Sequence, residues 1–144
     1  MSKILDNIFI FSAIIFNISV SVLYIATKLD NIQLLQASGA IVLSLIIPFT
    51  ITLLGYIKEK AKKSIKISHL IILFYLFLEL LLDYILKIPF REILEIHIPY
   101  SIVFYAAMFS MISVSFDKNR KMGFVVTITF LILIGCLVYY LLPF

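Results

Sequence analysis

Five apolar segments constrain this chain more than anything else in it: residues 4–27, 32–57, 67–88, 98–116 and 122–142, divided only by short charged or proline-containing stretches. A helix needs about 20 apolar residues to cross roughly 30 Å of hydrocarbon, and each segment is near or above that length. A membrane strand is about 9–11 residues of alternating pattern, so these continuous runs predict helices. The expected fold is an all-α integral membrane protein, a single domain built as a bundle of five transmembrane helices in the lipid bilayer. Composition agrees. The chain is 63% hydrophobic and 14% charged, against roughly 45–50% and about 25% for soluble domains. Too few polar side chains remain to cover a fold of this size in water.

The distribution of Lys and Arg predicts the orientation. With the N-terminus in the cytoplasm, the inner side collects nine: Lys3, Lys58, Lys60, Lys62, Lys63, Lys66, Lys118, Arg120 and Lys121. The outer side receives three: Lys28, Lys87 and Arg91. Short loops obey this positive-inside bias, which predicts a cytoplasmic N-terminus, a C-terminus outside and residence in the cell membrane. The fourth segment is the shortest and carries Ser101, Ser110, Ser113 and Ser115, so a re-entrant course was weighed against a span. Without that crossing the basic residues would divide six against six, so the charge bias favours the span.

The net charge of +4 does not indicate nucleic-acid binding, because the basic residues sit in short loops between apolar runs. Lys58, Lys60, Lys62, Lys63 and Lys66 form the densest group, which reads first as an inside-facing topogenic loop and second as a contact for anionic lipid head groups, at about 1 kcal/mol per basic residue near the surface. The first segment is longer than the roughly 7–15 apolar residues of a signal peptide. It also lacks a small-x-small cleavage site before Lys28, so a retained helix is expected. Tyr24, Tyr56, Tyr84, Tyr100, Tyr139 and Tyr140 lie near segment ends, where tyrosines anchor at the interface. The connector over residues 89–97 reads as a short interfacial helix, with Pro89 at its first position and Arg91 paired to Glu95.

One constellation stands out as chemistry. On the third helix Glu79, Asp83 and Lys87 follow at intervals of four, with Tyr75 one step earlier. At about 100° per residue they form a single ridge, and His69 falls in the same arc, about 80° from Glu79. Counting from residue 67, Glu79 sits roughly 4 Å past the bilayer midplane and Asp83 roughly 10 Å past it. A central carboxylate costs about 2.5–3.5 kcal/mol on insertion scales, and intramembrane ionisable groups mark ion or substrate sites. The alternative is a purely structural hydrogen bond between helices. Asn17, Ser44, Tyr105, Thr127 and Thr129 are possible partners on other helices. Asn17, Ser44 and Tyr105 at similar depth would make a shared pocket with Tyr75 and Glu79. Pro48 removes the hydrogen bond owed to the Ser44 carbonyl, so a kink is expected there.

Other chemistries are missing from the sequence. It has no zinc-helix, nucleophile-turn or phosphate-loop motif. Cys136 is the only cysteine, and Glu92, Glu95 and His97 lack a metal-site spacing, so neither a metal nor a cofactor is expected. The substrate- or ion-binding residues expected are Glu79, Asp83, Tyr75, Asn17, Tyr105 and Lys87. Three functions are compatible with these residues. The first is a small transporter or channel component, acting on a proton, a cation or a basic solute. The second is a non-catalytic subunit working by helix association. The third and weakest is a lipid-modifying enzyme. A bundle this small is expected to act as a homo-oligomer or within a larger membrane complex.

Overall fold

The computed structural model describes the backbone of residues 2–85 and 94–142 and the side chains of residues 3–82 and 95–142. Within them the chain is helical throughout, with no strand. The helices are α1 (Ser2–Lys28), α2 (Ile32–Ser44), α3 (Ile46–Lys58), α4 (Lys63–Glu79), α5 (Leu94–Lys118) and α6 (Arg120–Leu141), and a π-helical stretch, Leu80–Ile85, continues α4. Taking α2 and α3 together, these make five segments long and apolar enough to cross a membrane.

The turns are built from local chemistry. After α1, Asn31 N–H reaches back to the Ala26 carbonyl and Asp30 N–H to Thr27, with Asp30 in the left-handed region at φ 56°. After α3, Ala61 bonds Tyr56 and Lys60 bonds Ile57, with Lys60 at φ 57°. Both are the paired six-to-one and five-to-two closure that ends many helices, here made without the usual glycine. Asn31 then caps α2 by accepting from Leu34 N–H, and Asn119 caps α6 by accepting from Met122 N–H.

The second apolar segment, expected as one kinked helix, is one span over Ile32–Lys58 divided at a single residue. The helix breaks at Leu45, whose N–H bonds Val42 instead of continuing the regular ladder. Pro48 has no N–H for the Ser44 carbonyl and its ring crowds that carbonyl, so the break falls one turn before the proline. The consequence is positional. α3 packs against both α1 and α4, whereas α2 lies along α1 and touches α4 only marginally. Two other boundaries differ from expectation. α4 starts at Lys63, inside the lysine-rich stretch, and α5 starts at Leu94 and runs through Pro99. Glu95 and His97 therefore belong to the first turns of a long helix. The rest of the expected interfacial helix, including Pro89, Arg91 and Glu92, lies outside the described residues.

The segments alternate in direction. At the end that holds the N-terminus, Tyr56 of α3 donates to Asp6 of α1 at 2.5 Å, and Lys62 pairs with Asp117 of α5 at 3.2 Å. At the far end, Lys28 donates to the carbonyls of Tyr139 (2.5 Å) and Leu142 (2.9 Å) and lies 4.3 Å from the Tyr139 ring centroid. α1 is the hub, packed on α2, α3, α5 and α6. The exterior exposes many large apolar side chains. Phe11, Ile47, Phe77, Ile102, Phe124 and Leu131 are all more than half exposed.

Candidate functional site

Tyr75 and Glu79 sit one turn apart on α4 and face into the bundle, with Glu79 only 6% exposed. The phenol of Tyr100, on α5, donates to Glu79 Oε2. Tyr75 Oη lies 3.1 Å from Tyr100 Oη and 3.4 Å from the same carboxylate oxygen. A phenol has one proton to give, and Tyr100 gives its own to Glu79. The Tyr75 hydroxyl is within reach of both Glu79 Oε2, to which it donates, and Tyr100, so the three groups form one cluster centred on the carboxylate. The rings are packed as well. Tyr75 is 5.7 Å from Tyr100 and 5.2 Å from Phe104, centroid to centroid, and Phe16 of α1 meets Tyr75 edge-on at 5.8 Å.

These groups form one wall of a cavity of about 340 Å³ in the half of the bundle away from the N-terminus. Gly39 and Val42 of α2 form part of the opposite wall, and Tyr24 of α1 and Tyr140 of α6, 5.7 Å apart, lie towards the far end. Thr27 and Gln36 add two neutral polar groups to the lining. The cavity follows from the break at Leu45. Because α2 meets α4 only marginally, the described side chains leave space between the two helices.

The expected site residues divide accordingly. Tyr75 and Glu79 come together as the four-residue spacing implies. Asn17 is buried but points elsewhere: its amide Nδ2 donates to Thr129 Oγ1 at 2.9 Å and to the Val126 carbonyl at 3.3 Å, tying α1 to α6. Tyr105 is half-buried, packs edge-on against Phe104 at 5.4 Å and does not line the cavity. Ser44 is exposed, its hydroxyl bonded back to Ile41 at 2.7 Å, so the five-residue pocket expected around Glu79 does not form. His69 is fully buried on another face of α4. Its Nδ1–H donates to the Ile65 carbonyl at 2.9 Å and its Nε2 lies 3.0 Å from the Thr52 hydroxyl.

The side chain of Asp83 and all of Lys87 lie outside the described residues. The ridge expected through them assumed α-helical winding, but the chain becomes π-helical directly after Glu79. The wider i→i+5 turn changes the angular step per residue, so an α-helical ridge cannot be extrapolated past that point. Such π stretches are frequent at functional sites. Nothing in the sequence announced it.

No protein-family model, no curated protein and no solved structure matches this chain.

Sequence reasoning missed Tyr100, Tyr24 and Tyr140 as site residues, because their positions near segment ends read as interfacial anchors. One signal was available on α5. Tyr100 and Phe104 are four apart and share a face, while Tyr105 is turned about 100° away from Phe104. Among the described residues no group of three His, Cys, Asp or Glu side chains is placed to hold a metal ion.

Proposed function

We propose that this is a multi-pass protein of the cell membrane, with its N-terminus in the cytoplasm and its C-terminus outside. Its role in this reading is to take up a cation or basic solute at Glu79, as a small transporter or a component of one. The apolar exterior supports insertion, since water would leave side chains such as Phe11, Phe77 and Leu131 unfavourably exposed. The nine-to-three division of basic residues supports the orientation. The observation that carries the function is the carboxylate of Glu79 on the wall of a 340 Å³ cavity, bonded to Tyr100 and adjoining Tyr75. A carboxylate placed at a cavity wall at this depth acts as an acceptor for a positively charged guest. With this orientation the cavity belongs to the outer half, so the guest enters from outside and is released inward after a change of conformation. Lys58, Lys60, Lys62, Lys63 and Lys66 contact anionic head groups of the inner leaflet, and the bundle works as a homo-oligomer or beside a larger partner.

The test is uptake of monovalent cations and of quaternary ammonium ions into proteoliposomes, read as the amount retained inside. Wild type should support uptake, and Glu79→Gln should reduce it to that of empty liposomes. Equal signals from the two proteins would remove Glu79 from the mechanism.

A further inference from the structure

We infer that the occupant of the cavity is an alkylated organic ammonium ion with an apolar body, and not a proton or a bare metal cation; this rests on the assignment of Glu79 as the cation site. Size is the first argument. A volume of about 340 Å³ lies within the roughly 300–1,000 Å³ range of small-molecule pockets. A dehydrated inorganic ion would leave almost all of it unfilled. Donor count is the second. Hard cations such as Ca²⁺ or Mg²⁺ gather about six to eight oxygens at 2.0–2.6 Å. Among the described residues the lining carries a single carboxylate, and its other side-chain oxygens, on Thr27, Gln36 and the tyrosines, are neutral and spread over separate helices, a poor charge set for such an ion.

The aromatic lining is the third argument and the most specific. Tyr75, Tyr100 and Phe104 have ring centroids 5.2 to 6.4 Å apart, and all three line the cavity beside Glu79. Tyr24 and Tyr140 supply two more rings towards the far end. The faces of aromatic rings attract cations within about 6 Å, and rings grouped in this way are the usual recognition device for quaternary ammonium groups. Such a group has no N–H to donate, so it is held by ring faces and by the field of a nearby carboxylate rather than by a hydrogen bond. The remaining lining is mainly aliphatic, with Leu23, Leu35 and Val42 among it. Those side chains suit the hydrocarbon part of the guest. Because α2 touches α4 only marginally, that seam is the route by which an amphiphile dissolved in the lipid would enter.

The experiment uses the full chain in maltoside micelles, which avoid the quaternary ammonium of phosphatidylcholine, and follows binding by isothermal titration calorimetry. The probes are benzyltrimethylammonium, choline, the neutral choline isostere 3,3-dimethyl-1-butanol, and sodium, potassium and magnesium chlorides. Benzyltrimethylammonium should bind most tightly, choline less so, and the neutral isostere about tenfold more weakly than choline, a difference of about 1.4 kcal/mol. Phe104→Leu removes a ring but no hydrogen bond and should weaken both ammonium ions severalfold while leaving the isostere within about twofold. A thermal melt of each variant confirms folding. If sodium or potassium binds in a Glu79-dependent way and benzyltrimethylammonium does not, the inference fails while the proposed cation site stands. If the isostere matches choline, or Phe104→Leu leaves every probe unchanged, the aromatic cage is refuted. If Glu79→Gln alters no binding, both the inference and the function it rests on are wrong.

Discussion

The half of the bundle that holds the N-terminus and the half away from it are made from the same segments yet treat their buried polar groups in opposite ways. Near the N-terminus the core around His69 is closely packed. Phe9, Phe49, Tyr56 and His69 have no exposed surface and stack on one another, Phe9 to Phe49 at 5.5 Å and Tyr56 to His69 at 5.3 Å. Their polar atoms bond to fixed protein partners: His69 to Ile65 and Thr52, and Tyr56 to Asp6. In the far half the carboxylate and phenols line an unfilled cavity instead. The difference arises at Leu45, where the segment containing Pro48 divides. Below the break α3 closes on α4, and above it α2 does not. A buried polar group therefore carries no functional meaning by its burial alone. What separates Glu79 from His69 is whether the neighbouring helix comes close enough to fill the space beside it.

The comparison makes predictions that differ by half. Phe9→Ala should produce the largest loss of stability, about 3–5 kcal/mol, because a fully buried ring leaves a cavity its neighbours cannot fill. Unfolding by heat or denaturant in detergent measures it, and ammonium binding by the surviving folded fraction should stay within about twofold, since each tenfold change would need about 1.4 kcal/mol at the site. A binding defect as large as the stability defect would show that the two halves are not separable. Pro48→Ala should act in the opposite sense. It restores an N–H to the Ser44 carbonyl, straightens the second segment and brings α2 towards α4. Benzyltrimethylammonium affinity should fall severalfold, about 1 kcal/mol, with thermal stability unchanged or higher; undiminished affinity would mean that the proline does not create the cavity. Asn17→Ala should have the smallest effect. It removes hydrogen bonds between α1 and α6 of a kind worth about 0.6 kcal/mol on average inside membranes. The matching double-mutant cycle with Thr129→Val should report that coupling, and binding at Glu79 should be untouched.

The pairing of Tyr75 with Glu79 was legible because a spacing of four on a helix brings side chains together whatever surrounds it. The break near Pro48 was legible for the same local reason. Tyr105 was chosen over Tyr100 because depth along a segment can be counted from its ends, whereas the inward face cannot. In a water-soluble helix the polar residues show which side is out. Here Phe74 and Phe77 are exposed while Ile72 and Leu76 are buried, and nothing in their polarity separates the two pairs. Asn17 meets Thr129, 112 residues away, and not Glu79, a pairing no local spacing records.

By itself the sequence determined the number of apolar segments, their helical state, the asymmetry of basic charge between the two ends and the local turn chemistry. These follow from hydropathy, chain length and contacts within one or two turns. The tertiary structure alone decided that α2 stands off α4, that Tyr100 and not Tyr105 meets Glu79, and that a cavity remains between them. Those outcomes depend on how apolar helices rotate and lean against one another, and where both faces of a helix are greasy no residue pattern records that choice.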